Sequence, residues 1–295
     1  MRLSGSFTAL ITPFASGRLD EAALRRLIRF QLRSRTSGLV PCGSTGEAAT
    51  LRPEEYRRVI EIAVKEAAGR IPVVPGVGTN STDKTVAAAR EVAALGADAL
   101  LVIVPYYNKP TQEGLFRHFR TVARSVRLPI VVYNIPGRTG VNLAPATLAR
   151  LASVCPNVVA TKEASGSLDQ VSEILSLCPA GFTVLSGDDS LTIPMMSIGA
   201  KGVVSVLANI LPIPTARMCA AALRGDFTAA RKLHHKLFPV IKALFLETNP
   251  IPVKAAVQMA GLGGGAPRAP LTPITSANRR LLAAAIREAG YRIKM

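Results

Sequence analysis

The sequence predicts an α/β fold, a (β/α)8 TIM barrel followed by a C-terminal three-helix extension. Three observations carry this reading. Eight short, almost continuously apolar segments begin near residues 6, 38, 71, 98, 128, 157, 182 and 202, the composition of parallel strands covered on both faces. A segment with helical apolar spacing follows each one, so eight βα units fit into roughly 220 residues, as a closed barrel requires. A doubly wound open sheet needs a nucleotide fingerprint behind a strand. The one GxGxxA match, Gly261 to Ala266, follows a helix, and no P-loop is present.

In chain order, GSFTALITP is the first strand. Its helix, DEAALRRLIRFQLRS, has Leu24, Leu27, Ile28 and Leu32 on one face. GLVPCGS is the second strand. The helix PEEYRRVIEIAVKEAAG opens with Pro53 and two glutamates, favourable first-turn residues, and Tyr56, Val59, Ile60, Ala63 and Ala67 recur at helical spacing. IPVVPGVG precedes STDKTVAAAREVAALG, and ADALLVIVP leads through the loop YYNKPT to QEGLFRHFRTVARSV. LPIVVYNIP is followed by APATLARLASV, and NVVATKEA by a helix whose capping box is Ser167 with Gln170. FTVLSGDD precedes SLTIPMMSIG, and KGVVSVLAN precedes PIPTARMCAAALRG. After Gly225 only helical patterns remain: DFTAARKLHHKLFPVIKALFLE, NPIPVKAAVQMAG and TSANRRLLAAAIREAG. The expected organisation is a catalytic barrel over residues 1–224 and a helical extension over 225–295.

Composition narrows the function. Hydrophobic residues make up 48%, enough for a large core. No apolar run approaches the roughly 20 residues that span a bilayer, and the stretch FTALITPF closes at Pro13, too short for a signal peptide. Cys42, Cys155, Cys178 and Cys219 are widely spaced without a zinc pattern, as reduced packing residues of a cytoplasmic protein would be. The formal net charge of +17 suggests nucleic acid, yet the arginines are scattered over the helices and aromatics are only 5%, with no stacking motif. No nucleic-acid or membrane partner is expected. The charge does favour anionic substrates.

In such barrels chemistry sits at the C-terminal ends of the strands. Those ends read GSTGE (Gly43 to Glu47), PYYNKP, YNIPGRTG, Lys162, and SGDD. Lys162 closes an apolar strand, where lysine is rare without a reason. Two readings are open for it: an ammonium that reaches solvent or pairs with Glu163, or a partly desolvated amine placed to form a Schiff base. GSTGE reads either as a capped turn or as backbone N–H groups that hold a carboxylate. Tyr133 is an aromatic anchor or a proton-transfer group, and Tyr106 and Tyr107 are candidates for loop packing. Arg138 is a surface arginine or a carboxylate clamp. Asp188 and Asp189 read as caps of the next helix. Lys109, Lys201 and Lys254 are rival lysines, none at the C-terminal end of a strand. Only three histidines exist, His118 on a helix and His234 with His235 in the extension, which excludes a histidine-ligated metal aldolase. Imine chemistry on Lys162 leads.

GSTGE, PYYNKP, YNIPGRTG, KEASG, SGDDS and NPIPVKAA, in this order and spacing, closely resemble the dihydrodipicolinate synthase family of pyruvate-dependent class I aldolases. The resemblance runs from the first strand to the final helices. It implies condensation of pyruvate with L-aspartate 4-semialdehyde in diaminopimelate and lysine biosynthesis. Lys162 would form the imine with pyruvate, Tyr133 would bond the attacked carbonyl and shuttle protons, and Thr45 would link Tyr133 to Tyr107 of a neighbouring subunit. Ser44 and Thr45 would hold the pyruvate carboxylate and Arg138 the carboxylate of the semialdehyde, while Gly187 and Val204 would shape the pocket. No dissociable cofactor and no metal are implied, since the covalent pyruvate imine is itself the electron sink. A homotetramer, built as a dimer of dimers, is implied as well.

Two features depart from the synthase pattern. Ser44 stands where the synthases usually have threonine, and GSTGE is the form common in the N-acetylneuraminate lyase branch. A sibling lyase, or a 2-keto-3-deoxy sugar acid aldolase, is therefore the alternative. Pro53, Tyr56 and Lys84 stand where lysine-inhibited members carry polar and acidic residues, so weak or absent feedback by lysine is expected.

Overall fold

The computed structural model describes residues 3–291. Eight parallel strands form the barrel: β1 (Gly5–Ala9), β2 (Gly38–Val40), β3 (Gly76–Val77), β4 (Leu100–Ile103), β5 (Ile130–Asn134), β6 (Val158–Glu163), β7 (Thr183–Ser186) and β8 (Gly202–Ser205). Their order is β2-β1-β8-β7-β6-β5-β4-β3, and a parallel bridge between Leu39 and Val73 joins the last pair, so the sheet closes on itself. The third strand is expected as one run from residue 71. It is instead split into the bridge at Val73 and the ladder at Gly76, because Pro72 and Pro75 have no N–H to donate. Their carbonyls still accept, Pro72 from Leu39 at 2.9 Å and Pro75 from Leu101 at 2.9 Å, which keeps the circuit intact.

The apolar strands serve two cores. Alternate residues such as Phe7, Val40, Leu101, Val131, Leu185 and Val204 fill the barrel interior, while Leu39, Val102, Val132 and Val184 face the surrounding helices. Strands buried on both faces have no polar side to alternate with, which is why they read as continuous hydrophobic runs. Eight helices alternate with the strands: α1 (Glu21–Arg33), α2 (Pro53–Ala67), α3 (Thr82–Ala94), α4 (Gln112–Ser125), α5 (Pro145–Val154), α6 (Leu168–Leu177), α7 (Thr192–Ser197) and α8 (Pro212–Leu223). Half of the expected capping box of α6 forms. Ser167 Oγ accepts from the Gln170 N–H at 3.1 Å, but the Gln170 amide turns to Asn142 instead. Among the described residues, no helix is long and apolar enough to cross a membrane.

Three further helices follow: α9 (Phe227–Ala243), α10 (Ile251–Met259) and α11 (Ser276–Glu288). The segment around α10 is bonded to the catalytic end of the barrel. Arg268 spans the junction, donating twice to Glu55 of α2 at 2.6 Å and to the carbonyls of Thr50 and Gly17. The Arg268 bonds hold the buried Glu55 carboxyl down at about 2, from an ordinary 4.5. A folded value below the unfolded one stabilises the fold above about pH 4.5, and this contribution is lost as pH falls toward 2. Glu55→Gln is therefore expected to cost about 2–3 kcal/mol at pH 7. The gap from the parent protein should close on acidification, as chemical unfolding at several pH values would read.

Candidate active site

β5, β6 and β7 lie side by side, with Tyr133 in register with Lys162, and Lys162 in register with Leu185. Lys162 is 6% exposed and Tyr133 5%. The amine sits over the Tyr133 ring, 3.9 Å from its centroid, a placement that an aromatic face favours for a cation. Gly187, in the turn after β7, supplies the room. A Cβ there would stand 3.2 Å from Lys162 Cε and 2.6 Å from the Ala164 Cβ, and the second distance is one that real side chains do not tolerate. Val204 is buried on β8 and lines the same interior.

The alternative of a Lys162–Glu163 pair is not formed. Consecutive strand residues point to opposite faces, and the Glu163 carboxylate is buried on the other side. There it accepts from Asn134 Nδ2 at 3.1 Å and from the Ser165 N–H at 2.7 Å. Among the described residues, Lys162 makes no ion pair.

Lys254, which stands at no C-terminal strand end, is the deepest lysine among the described residues at 1% exposed. Its Nζ donates to Glu47 Oε1 at 2.5 Å and to the Thr12 carbonyl at 3.0 Å, and it lies 4.1 Å from the Phe14 ring centroid. Burial pulls its pKa below the ordinary lysine range, and the Glu47 bond opposes the shift. The second Glu47 oxygen accepts from the Arg268 N–H at 2.8 Å. Two lysines are thus buried at this end of the barrel. One is committed to a carboxylate and one is not.

Glu47 itself adopts a left-handed backbone, φ 54°, at the end of GSTGE. Its anchorage to α10 and Arg268 pins the turn that carries Ser44 and Thr45. Ser44 is half-buried, while Thr45 is buried and accepts from Asn249 Nδ2 at 3.0 Å. The neighbouring Cys42 is no nucleophile, since burial drives its thiol far above the ordinary value.

Arg138 rides on a one-turn helix, Pro136–Thr139, and its guanidinium donates to the Asn249 carbonyl at 2.9 Å. Ser44, Tyr133, Arg138 and Asn249 line one cavity of about 700 Å³. Tyr107 stays apart: it is 86% exposed with a left-handed φ of 73°, and its backbone N–H donates to the Thr139 carbonyl at 3.3 Å. Within the described residues Thr45 bonds neither Tyr133 nor Tyr107.

The two aspartates of SGDD divide their work. Asp188 caps the following turn as expected, accepting from the Ser190 N–H at 2.8 Å. Asp189 corrects the expectation, for it reaches the turn behind β8 and accepts from Ser205 Oγ and from the N–H groups of Val206 and Leu207. Burial pushes its pKa up to about 6. Asn249, Glu47 and Asp189 were not singled out by motif reasoning as support for the site. The only signal was the presence of NPIPVK, GSTGE and SGDD among the resembling motifs.

Comparison with known proteins agrees with this geometry over the whole chain. A family model described as the dihydrodipicolinate synthetase family matches residues 2–289. A 4-hydroxy-tetrahydrodipicolinate synthase of Thermomicrobium roseum is 53% identical over 284 residues, covering 96% of this chain and 94% of that one. That of Pelobacter propionicus is 49% identical, covering 97% and 98%. The crystal structure of dihydrodipicolinate synthase from Aquifex aeolicus superposes with a TM-score of 0.98 at 48% identity, covering 99% of this chain and 100% of that one. With barrel, strand-end lysine and full-length similarity in agreement, the chain belongs to the dihydrodipicolinate synthetase family.

Proposed function

We propose that the chain condenses pyruvate with L-aspartate 4-semialdehyde to give 4-hydroxy-tetrahydrodipicolinate. The observation that carries this reading is the buried Lys162 amine, free of any carboxylate and set on the Tyr133 ring at a strand end. Lys162 Nζ attacks the pyruvate ketone and water leaves, giving a protonated imine. Loss of a methyl proton gives the enamine, whose carbon attacks the aldehyde of the second substrate. The semialdehyde's amino group then closes the ring on the imine carbon and releases Lys162. No cofactor is needed, because the imine nitrogen holds the electron pair.

In this reading Tyr133 and Thr45 move the protons, and the turn at Ser44 and Thr45 receives the pyruvate carboxylate. Gly187 and Val204 shape the pocket. Arg138, at the exposed rim, takes the semialdehyde carboxylate. Tyr107 serves the site of a neighbouring subunit in a homotetramer; its near-complete exposure in a left-handed conformation supports that role. Four free cysteines fit a cytoplasmic setting.

Turnover coupled to dihydrodipicolinate reductase tests the activity. Arg138→Ala is expected to lower kcat/KM for the semialdehyde about 100-fold while pyruvate is still captured on Lys162. Unchanged use of the semialdehyde by this variant would favour a sibling sugar-acid aldolase, the reading to which Ser44 points. Lysine is expected to inhibit weakly, since Lys84 is an exposed like charge and the Tyr56 hydroxyl is spent on the Gly76 carbonyl at 2.8 Å. Half-inhibition below about a millimolar would contradict this.

A further inference from the structure

Glu163 is buried, 2% exposed, and makes no ion pair among the described residues. A buried carboxylate without a counter-charge is costly to keep, so its neutral partners carry all of its compensation. Asn134 Nδ2 donates to both of its oxygens, at 3.3 and 3.1 Å, and the Ser165 N–H donates to Oε1 at 2.7 Å. Asn134 is equally buried, directly follows Tyr133 and is the register partner of Glu163 across β5 and β6. The bonding network fixes its amide orientation. Its Oδ1 accepts from the Leu143 N–H at 3.0 Å, so Nδ2 faces the carboxylate and Asn142 Oδ1, the latter at 2.7 Å.

This pair stands one residue beyond Tyr133 and Lys162, on the opposite face of the same two strands. The strands enter out of step. Ile130 pairs with Val158 but Val131 with Ala160, which leaves Val159 as an extra residue on β6. One further step of slip would turn Lys162 away from the barrel interior. The Glu163 carbonyl also accepts from the Gly187 N–H at 2.8 Å, and the Asn134 carbonyl from the Ala164 N–H at 2.9 Å. We propose that Glu163 is a positioning residue that works from the outer face of the barrel. Its bond to Asn134 locks β6 to β5 and so holds the Lys162 amine on the Tyr133 ring. A fully bonded buried polar group specifies one arrangement, and misplacing a reacting group by about 1 Å costs about 100-fold in rate. The proposal rests on the reading of Lys162 as the amine that forms the imine.

The test compares the parent with Glu163→Gln, Asn134→Asp and the double exchange, each in the full-length chain. Protein is mixed with saturating pyruvate and quenched at timed intervals into borohydride, and the adduct is read from the intact mass. In Glu163→Gln the new side-chain NH2 meets Asn134 Nδ2, donor against donor, while the remaining oxygen still accepts from the Ser165 N–H. The first-order rate constant of adduct formation is expected to fall about 10- to 100-fold, while the final adduct still approaches that of the parent. Asn134→Asp sets two carboxylates against each other and is expected to be at least as slow. The double exchange restores the bond with donor and acceptor reversed. The new aspartate still accepts from the Leu143 N–H, and the Asn142 amide needs only to turn over. Its rate constant is expected within about threefold of the parent.

The rate constant counts folded sites only. A role confined to folding would lower the final adduct and leave the rate constant at the parental value, and that result would overturn the proposal. A double exchange no faster than Glu163→Gln would overturn it as well. Complete loss of adduct in Glu163→Gln, recovered by the exchange, would support it. No adduct in the parent would overturn the imine reading and the proposal with it. Normal trapping in the parent beside either contrary result would overturn the proposal only.

Discussion

Lys162→Ala is expected to lower turnover by at least about ten-thousand-fold, since no other amine can replace the lost nucleophile. The rival at this end of the barrel, Lys254, is held by Glu47 and the Thr12 carbonyl. The space that Gly187 leaves lies against the Lys162 side chain, whose Cε would stand 3.2 Å from a Cβ there. Lys162 makes no ion pair among the described residues, so its removal strands no buried counter-charge. The melting temperature should therefore hold or rise while activity disappears. A variant that lost both together would show that Lys162 is a structural residue.

Lys254→Met has the opposite signature. Removing one member of a buried pair leaves the other charge without compensation, which costs about 3–5 kcal/mol. Glu47 would keep only the Arg268 N–H among its present partners, inside a shell that Phe14 helps to close. For a chain of this size the melting temperature should fall on the order of ten degrees. The double variant Lys254→Met with Glu47→Gln should recover most of the loss, because it removes both charges. Glu47 also pins the Ser44–Thr45 turn, so both single and double variants should bind pyruvate more weakly. Full stability in Lys254→Met would mean that water reaches Glu47 and that the pair is not sealed.

The contrast between these lysines marks what could be read from the sequence. The barrel was legible because burial on both faces writes strands as uninterrupted apolar runs and helices as a 3.6-residue period. The strand starts expected near residues 38 and 202 coincide with β2 and β8. Lys162 was legible because it ends such a run. Partners distant in the chain were not, since periodicity reports which face is buried and not what meets it. Lys254 finds Glu47 across 207 positions, Arg268 finds Glu55 across 213, and Asn249 finds Thr45 across 204. Nearness in sequence misled at Glu163, which adjoins Lys162 but faces away from it. It misled again at Asp189, which holds the turn after the next strand instead of its own helix.

The most direct test of the central claim is reduction of the protein with borohydride in the presence of pyruvate, followed by mass spectrometry of the digested chain. One reduced pyruvyl group on the peptide that contains Lys162, absent from Lys162→Ala, is the expected result. An adduct on Lys254 or another lysine, or no adduct in an enzyme that still turns over, would contradict it.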